Sequence, residues 1–283
     1  MSQAILLISC PDQKGITASI TNFVYEHNGN ILHADQHIDE QRNIFFMRIE
    51  WDLNGFSLNR NQIKDKFDLI ATKFQMKYDL FFSDKLPRCA IFVSQHLHCL
   101  YDLLLRYKGG QFACEIPLII SNHKEASLVA KEFGIEFLEM PITQENKGQQ
   151  EEKEMAILKE KKIDIIILAR YHQIFTGRFV DTFENKIINI HHSFLPAFPG
   201  KNPYAKAYEK GVKIIGATSH FVTQELDQGP IIEQDTVRIS HRDSLNDLIR
   251  KGEDLEKIVL NRAVRLALER KILCYNNKTV IFD

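Results

Sequence analysis

Four short apolar runs that alternate with helical stretches constrain the fold of this chain more than any other feature. The runs cover residues 89–94, 116–121, 163–168 and 187–190, and the helical stretches lie near 97–107, 124–133 and 149–161. Strands that are apolar at nearly every position are buried on both faces, which is typical of a parallel sheet covered by helices. The pattern therefore predicts an α/β domain with a Rossmann-like, mostly parallel sheet.

The end of the chain adds two longer β-like runs and one long helix. Residues 213–222 and 231–239 are predicted to pair as a hairpin across the turn Asp227-Gln228-Gly229-Pro230. Residues 244–270 place their apolar side chains on one helical stripe, which we interpret as a packing surface.

The first 82 residues have a different order of predicted strands and helices. A strand over 4–10, a helix over 16–28, two β-like runs over 31–38 and 44–51, a helix over 58–74 and a closing strand give the order βαββαβ. That order predicts a ferredoxin-like domain. Residues 83–88 are polar and contain a proline, so we place a linker there and divide the chain into domains 1–82 and 89–283.

Charge and cysteine content exclude several classes of function. The 283 residues carry 36 Lys plus Arg against 37 Asp plus Glu, a net charge of -1, which predicts neither nucleic acid nor a membrane surface as a partner. The longest apolar runs have five residues, far short of a membrane span, and no secretory signal is visible, so we expect a cytoplasmic protein. The five cysteines are scattered, which argues against a disulfide framework and a cysteine zinc site.

The segment from Ile187 to Pro196 is the most informative for chemistry. Asn189 and His191 lie two apart on a predicted strand and so point to the same side, at the carboxyl end where ligands bind in open α/β sheets. Pro196 and Pro199 then stiffen the chain that leaves the strand. The alternative is that the two polar side chains only satisfy backbone groups of the loop.

The motif N-I-H-x-S-x-L-P at 189–196, followed after a β-run by D-x-G at 227–229, resembles the signature of enzymes that move the formyl group of 10-formyltetrahydrofolate. The resemblance extends from Cys89 to the C-terminus, and residues 4–82 look like an ACT domain, a regulatory module that binds amino acids. Together with Leu168-Ala169-Arg170-Tyr171, the combination resembles the formyltetrahydrofolate deformylase family. It implies hydrolysis of 10-formyltetrahydrofolate to formate and tetrahydrofolate in one-carbon and purine metabolism, with folate as substrate and no cofactor.

Two other functions compete. The glycinamide ribonucleotide transformylases resemble this chain in the catalytic motif, but they carry a glycine-rich turn after the first strand that holds the phosphate of the amine acceptor. Residues 93–98 contain no glycine here, which favours water as the acceptor, although His96 and His98 could bind an anion by their side chains. A ligand sensor with a decayed site is disfavoured because all three matched polar residues are present.

The resemblance implies a role for each residue of the site. Asp227 positions and deprotonates a water molecule or relays protons through it, protonated His191 faces the developing oxyanion, and Asn189 donates a further hydrogen bond to that oxygen. The folate slot is expected at 169–175 and 222–227. The expected substrate-binding residues are Ala169, Gln173, Phe175, Val222 and Ser193. His172 stands where relatives are expected to have methionine.

A zinc site built from His191, His192 and His220 is a rival hypothesis. Neighbours on an extended strand point to opposite sides and the spacing fits no common zinc pattern, so we predict no metal. His220 is expected to pack or to support the site from behind.

The N-terminal domain offers a candidate effector site. Asp12 and Gly15 lie where a strand turns into a helix, and Asn30 is expected nearby. A helix N-terminus there can receive an amino-acid carboxylate, although a plain capped turn explains the same residues. Modules of this kind commonly pair between subunits, so we expect a homo-oligomer.

Overall fold

The computed structural model describes residues 2–197 and 203–282. The chain forms two compact units, the first made of Met1–Leu86 with Glu269–Tyr275 and Val280–Asp283, the second of Pro87–Leu268 with Asn276–Thr279. Within the described residues, no helix has the length and apolar character needed to cross a membrane.

The first unit is an antiparallel four-stranded sheet with two helices. Its elements are β1 (Gln3–Pro11), α1 (Ile16–Glu26), β2 (Asn30–Asp39), β3 (Ile44–Asp52), α2 (Arg60–Phe74) and β4 (Lys77–Phe82), and the strand order is β2-β3-β1-β4. The βαββαβ order confirms the predicted ferredoxin-like domain.

Local sequence explains both helices of this unit. In α1 the buried residues follow helical spacing and are Ile16, Ile20, Phe23 and Val24. A capping box formed by Asn59 and Gln62 starts α2, which satisfies backbone N–H groups that have no partner within the helix. The two helices and the sheet enclose a core that includes Trp51 and Phe67, both fully buried. Each such aromatic side chain contributes about 1.5–3 kcal/mol by leaving water.

The second unit is a seven-stranded mixed sheet covered by helices. Its elements are β5 (Arg88–Val93), α3 (His98–Lys108), β6 (Glu115–Ser121), α4 (Ala126–Phe133), β7 (Glu136–Glu139), α5 (Lys147–Glu160), β8 (Ile165–Ala169), α6 (Gly177–Thr182), β9 (Ile187–His191), α7 (Pro203–Lys210), β10 (Ile214–Phe221), β11 (Ile231–Arg238) and α8 (Leu245–Leu268). The strand order is β11-β10-β9-β8-β5-β6-β7. Strands β5 to β9 are parallel, and β10 and β11 are antiparallel. The predicted mostly parallel sheet is confirmed, and so is the predicted hairpin, which is formed by β10 and β11.

The C-terminus differs from the predicted division of the chain. Strands β12 (Ile272–Tyr275) and β13 (Lys278–Ile281) form a small sheet, and Leu273, Val280 and Phe282 pack against Leu7 and Phe46 of the first unit. The sequence analysis assigned residues 89–283 to one domain. The physical reason for the difference is that β1 is buried on both faces, so its second face needs an apolar cover.

Arg48 fixes this C-terminal segment by polar contacts. Its side chain is buried, and it donates to the backbone oxygens of Glu269 at 3.2 Å and Arg270 at 3.0 Å as well as to Glu50 at 2.8 Å. A buried guanidinium with acceptors on several sides avoids the cost of an unpaired charge.

The strand order of the second unit brings three loops to one edge of the sheet. Strand β8 lies between β5 and β9, with Val93 beside Ala169 and Leu168 beside Asn189. Ser94 joins the loops that follow β5 and β8, since its N–H donates to the Arg170 oxygen at 3.3 Å and its hydroxyl accepts from the His172 N–H at 3.1 Å. The carboxyl ends of β5, β8 and β9 therefore form one polar rim.

Candidate active site

Asp227 joins two histidines at this rim. His191 Nδ1 lies 3.3 Å from Asp227 Oδ2, and His220 Nε2 lies 3.8 Å from Asp227 Oδ1. Both histidines are buried, whereas the Asp227 side chain keeps 13% of its surface exposed. A carboxylate with this small opening is accessible to a substrate or a water molecule.

The glycine of the D-x-G motif explains how Asp227 reaches the histidines. Asp227 has φ 57°, in the left-handed region, within the turn that joins β10 to β11. A Cβ atom at Gly229 would lie 1.7 Å from the backbone oxygen of Phe221. Only glycine permits that approach, so the turn folds back on the end of β10 and carries Asp227 with it.

Asn189 and His220 support the site from neighbouring strands. They face each other across the β9–β10 pair, and the Asn189 amide nitrogen lies 3.2 Å from His220 Nε2. His220 Nδ1 lies 2.8 Å from the Phe221 oxygen, to which it donates, so Nε2 is the acceptor. Burial lowers the pKa of His220, which keeps its imidazole neutral. The sequence analysis expected this supporting position but not the bond to Asn189.

The charges of the site are set by opposing effects. Burial raises the pKa of the Asp227 carboxyl, but the His191 imidazole and the other nearby histidines outweigh it, so the net pKa lies below the usual value. Asp227 is therefore ionised at neutral pH. His191 Nε2 is buried and has no hydrogen-bond partner among the described residues. A buried polar atom without a partner is costly, which makes Nε2 a candidate for contact with a ligand.

The loop after β9 is held by Thr218 and Gln234. The Thr218 hydroxyl donates to the Ser193 oxygen at 2.8 Å and accepts from the Leu195 N–H at 3.0 Å, while Gln234 Nε2 donates to the Leu195 oxygen at 3.0 Å. The Ser193 hydroxyl donates its hydrogen bond to the Ala197 oxygen, within the same loop. These bonds fix the loop around Pro196. Pro199, the other predicted stiffening residue, lies outside the described residues.

The predicted orientation of His192 is wrong. The rings of His191 and His192 lie 5.1 Å apart, because β9 ends at His191 and His192 no longer follows the alternation of a strand. Burial and the neighbouring Arg170 lower the pKa of His192 to about 3, so it is neutral at physiological pH.

A polar cluster that is not predicted from the sequence lies next to His192. Glu256, in α8, is fully buried and accepts from His98 Nε2 at 2.8 Å and from the Tyr204 hydroxyl at 2.5 Å, and Arg170 Nε lies 3.4 Å away. Burial raises the pKa of Glu256, but His98, Arg170 and Tyr204 outweigh it and keep the carboxylate ionised. His98, kept above as an alternative ligand for an anion, has its Nε2 hydrogen-bonded to this carboxylate.

A glycine in α8 admits Tyr204 to the cluster. A Cβ atom at Gly252 would lie 2.2 Å from the Tyr204 hydroxyl oxygen. This contact explains a glycine in a helix interior, where it costs about 1 kcal/mol relative to alanine. It is also the signal by which the cluster could have been found, since Gly252 precedes Glu256 by one helical turn.

The same cluster contains a possible metal-binding set. One ligand atom each of His98, Cys99 and Glu256 lies within 4.8 Å of the others. However, both carboxylate oxygens of Glu256 accept hydrogen bonds, and burial raises the pKa of the Cys99 thiol well above its usual value. A cation would have to displace these donors and compete with Arg170 for the negative charge of the Glu256 carboxylate.

Comparisons with known proteins extend this picture to the whole chain. A family model described as formyl transferase matches residues 87–264, and one described as ACT domain matches residues 4–67. Formyltetrahydrofolate deformylase of Synechocystis sp. is 56% identical over 99% of this chain and 98% of the relative, and that of Bacillus subtilis is 45% identical over 98% and 93%.

A solved structure decides the family. The crystal structure of a formyltetrahydrofolate deformylase from Pseudomonas syringae matches 100% of this chain and 95% of that chain, with 40% identity and a TM-score of 0.98. The chain belongs to the formyltetrahydrofolate deformylase family. A glycinamide ribonucleotide transformylase from Symbiobacterium toebii matches only 72% of this chain, with 29% identity and a TM-score of 0.67.

The predicted folate slot of this deformylase family member includes core residues. Ala169 is fully buried, and Phe175 stacks on Phe179 with ring centroids 3.9 Å apart. Val222 packs against the same cluster and donates its N–H to the Ile187 oxygen, while Gln173 is partly exposed. Their roles in substrate binding stay predictions. His172 is exposed as a whole residue, and partial desolvation of its side chain together with the charge of Arg170 lowers its pKa to about 4.

The structure does not bring the three predicted effector residues of the ACT domain together. Asp12 and Gly15 lie next to the end of β1 at which Pro11 pairs with Ile44. Asn30 pairs with Asp52 at the opposite end of the sheet. The expectation that Asn30 lies near the other two is wrong, because α1 runs the length of the sheet between them.

Proposed function

We propose that this chain hydrolyses 10-formyltetrahydrofolate to formate and tetrahydrofolate. The similarity to proteins named formyltetrahydrofolate deformylase, over the full chain and at up to 56% identity, supports this activity. The observation that carries it structurally is the Asp227 carboxylate, partly open and 3.3 Å from His191, whose Nε2 has no hydrogen-bond partner among the described residues.

Hydrolysis requires a nucleophilic water, a group that accepts its proton and a donor that stabilises the oxyanion. The oxygen of a water molecule bonds to the formyl carbon, the bond between that carbon and the folate nitrogen breaks, and the nitrogen takes up a proton. Asp227 is ionised, so it can accept the proton of the water. His191 in its protonated form stabilises the oxyanion through Nε2, since Nδ1 faces Asp227.

Asn189 serves the same oxyanion. Its amide nitrogen carries two hydrogens, one of which goes to His220 Nε2. The other is available to the substrate oxygen. A positioned donor of this kind lowers the activation barrier by about 3 kcal/mol.

The ACT domain supports a regulatory effector of amino-acid chemistry. The turn of Asp12 and Gly15 precedes α1, whose N-terminus has no side-chain cap among the described residues, so its first N–H groups can receive a carboxylate. A homo-oligomer and a cytoplasmic location belong to the same proposal, and sedimentation and cell fractionation test them.

The alternative function is formyl transfer to an amine acceptor such as glycinamide ribonucleotide. The support for this alternative is the fold that the chain shares with the transformylase from Symbiobacterium toebii, at 29% identity. The turn after β5 contains no glycine with which to cradle a phosphate, which disfavours it.

Release of formate in the absence of any amine tests the proposal. Purified protein is incubated with 10-formyltetrahydrofolate alone, and formate is followed by a coupled dehydrogenase. A deformylase releases formate and tetrahydrofolate in equal amounts. No formate without an amine, with formyl transfer once an amine is added, would establish the alternative function.

A further inference from the structure

The tip of the C-terminal hairpin, residues 276–279, belongs to the second unit and lies against the turn that carries Asp227. Strands β12 and β13 are joined by Asn276 and Asn277. Asn276 has φ 51°, a left-handed conformation that asparagine tolerates and that tight hairpin turns use. The tip is therefore a defined turn between two paired strands.

Two side chains of the tip donate hydrogen bonds to the backbone of the catalytic turn. The Asn277 amide nitrogen donates to the Gln228 oxygen at 2.7 Å, and the Thr279 hydroxyl donates to the Ile231 oxygen at 2.5 Å. Gln228 directly follows Asp227, and Ile231 begins β11. The two bonds therefore hold the chain just after the catalytic carboxylate and again where the turn ends.

The backbone of Asp227 needs such support. Its φ of 57° lies in a region that residues with a Cβ atom seldom occupy, and such a conformation persists when surrounding contacts hold it. Within the turn, the Gln228 N–H donates to the Glu225 oxygen at a long 3.4 Å. The bond from Asn277, at 2.7 Å, is the shorter restraint on the residue that follows Asp227.

The chemistry is sensitive to small displacements of this carboxylate. Asp227 Oδ2 lies 3.3 Å from His191 Nδ1, and Oδ1 lies 3.8 Å from His220 Nε2. A shift of the turn lengthens both contacts, and a catalytic group misplaced by about 1 Å costs up to about a hundredfold in rate. Turnover should therefore respond to any loosening of the turn.

We propose that Asn277 and Thr279 are positioning residues for hydrolysis, which hold the Asp227 carboxylate in place through the backbone of its turn. This inference rests on the proposed function. The two side chains act on backbone oxygens of the turn and not on the reacting atoms. Loss of either hydrogen bond lets Asp227 move away from the histidines, so turnover falls more than substrate binding.

Asn277→Gly tests the first hydrogen bond in the full chain. It removes the amide and leaves an Asn-Gly pair, which is preferred in tight hairpin turns, so the hairpin keeps its shape. Asn28→Gly is the matched control, because the exposed Asn28 amide donates to the Gly55 oxygen at 2.9 Å in the first unit, and its φ of 60° suits glycine.

Steady-state formate release compares these two variants. We expect Asn277→Gly to lower kcat about tenfold and to change KM less than about threefold, because the displaced group serves the chemical step. Asn28→Gly should keep the wild-type kcat, since it removes an equivalent hydrogen bond far from the catalytic turn.

Thr279 allows the hydroxyl to be separated from the shape of the side chain. Thr279→Val replaces the hydroxyl by a methyl group of similar size, whereas Thr279→Ser retains it. We expect Thr279→Val to lower kcat about fivefold, the effect of one lost hydrogen bond, and Thr279→Ser to recover most of that loss.

Hydrogen exchange followed by mass spectrometry gives a measurement that does not depend on activity. Residues 223–231 should exchange faster in Asn277→Gly than in wild type, because their turn has lost a restraint. Strands β12 and β13 should exchange at the wild-type rate, which shows that the hairpin is intact. If the strands also exchange faster, the two Thr279 variants decide the proposal.

Wild-type kcat and wild-type exchange of the turn in Asn277→Gly would overturn the inference. A loss confined to KM, or equal losses in Thr279→Val and Thr279→Ser, would also overturn it. If the wild-type protein released no formate without an amine, the proposed function would fail. The exchange of residues 223–231 would then still show whether Asn277 holds the turn.

Discussion

Asn189 and His220 face each other across two antiparallel strands, with the Asn189 amide nitrogen 3.2 Å from His220 Nε2. Because His220 Nδ1 donates to the Phe221 oxygen, Nε2 can only accept, and it orients the amide. We therefore propose that His220 is a positioning residue for the Asn189 amide, the donor proposed to serve the oxyanion.

His220→Leu should lower kcat about tenfold with little change in KM, because it removes the acceptor that orients Asn189 and not the donor itself. His220→Gln retains an acceptor and should recover part of the loss. Steady-state formate release measures both variants. Equal losses in kcat for the two, or a loss confined to KM, would contradict the positioning role.

Gly229→Ala should displace Asp227. Its Cβ would lie 1.7 Å from the Phe221 oxygen, so the turn must shift and kcat should fall by about two decades, the loss expected when a catalytic group is displaced. Gly148→Ala is the control, because no atom lies within 4 Å of a Cβ there and the position is helical. That control should keep full activity and gain up to about 1 kcal/mol of stability. Normal turnover in Gly229→Ala would show that the turn does not set the position of Asp227.

Glu154 makes the stability of the chain depend on pH. It is fully buried, neither carboxylate oxygen has a hydrogen-bond partner among the described residues, and burial together with Glu151 raises its pKa to about 8. A raised folded-state pKa gives stability that is complete below the unfolded value and is lost as the pH rises through about 8.

Glu154→Gln should remove this dependence, since glutamine stays neutral throughout. Between about pH 5 and about pH 9, wild type should lose roughly 4 kcal/mol more than the variant in the free energy of unfolding. Urea melts at both pH values measure the difference, and Glu160→Gln, at an exposed position of the same helix, is the control. Parallel pH profiles for wild type and Glu154→Gln would contradict the assignment.

The sequence predicts the elements that follow long periodic patterns and misses those that depend on contacts far along the chain. Strand β7 and helices α6 and α7 have four to eight residues each, too few for a period to show. The pairing of Leu273 and Phe282 with the first unit joins residues more than 200 positions apart, and no local pattern records it.

The same limit applies to the site. Asn189, His191 and Asp227 lie in motifs and were predicted, and the structure brings all three into one chain of contacts. Glu256 lies in a long helix, where Gly252 one turn earlier indicates a close approach but does not name the partner, so the proximity of Arg170 could be seen only in three dimensions.

We propose that Asp227 and His191 together carry out the hydrolysis, and Asp227→Asn separates this chemical role from substrate binding. The variant keeps the shape of the side chain and removes the charge that accepts the proton of water. Formate release and the binding of 10-formyltetrahydrofolate are measured on the same preparation. We predict that kcat falls by at least about two decades while the binding affinity stays within a few-fold. A variant that binds folate normally and retains wild-type kcat would contradict the role proposed for Asp227.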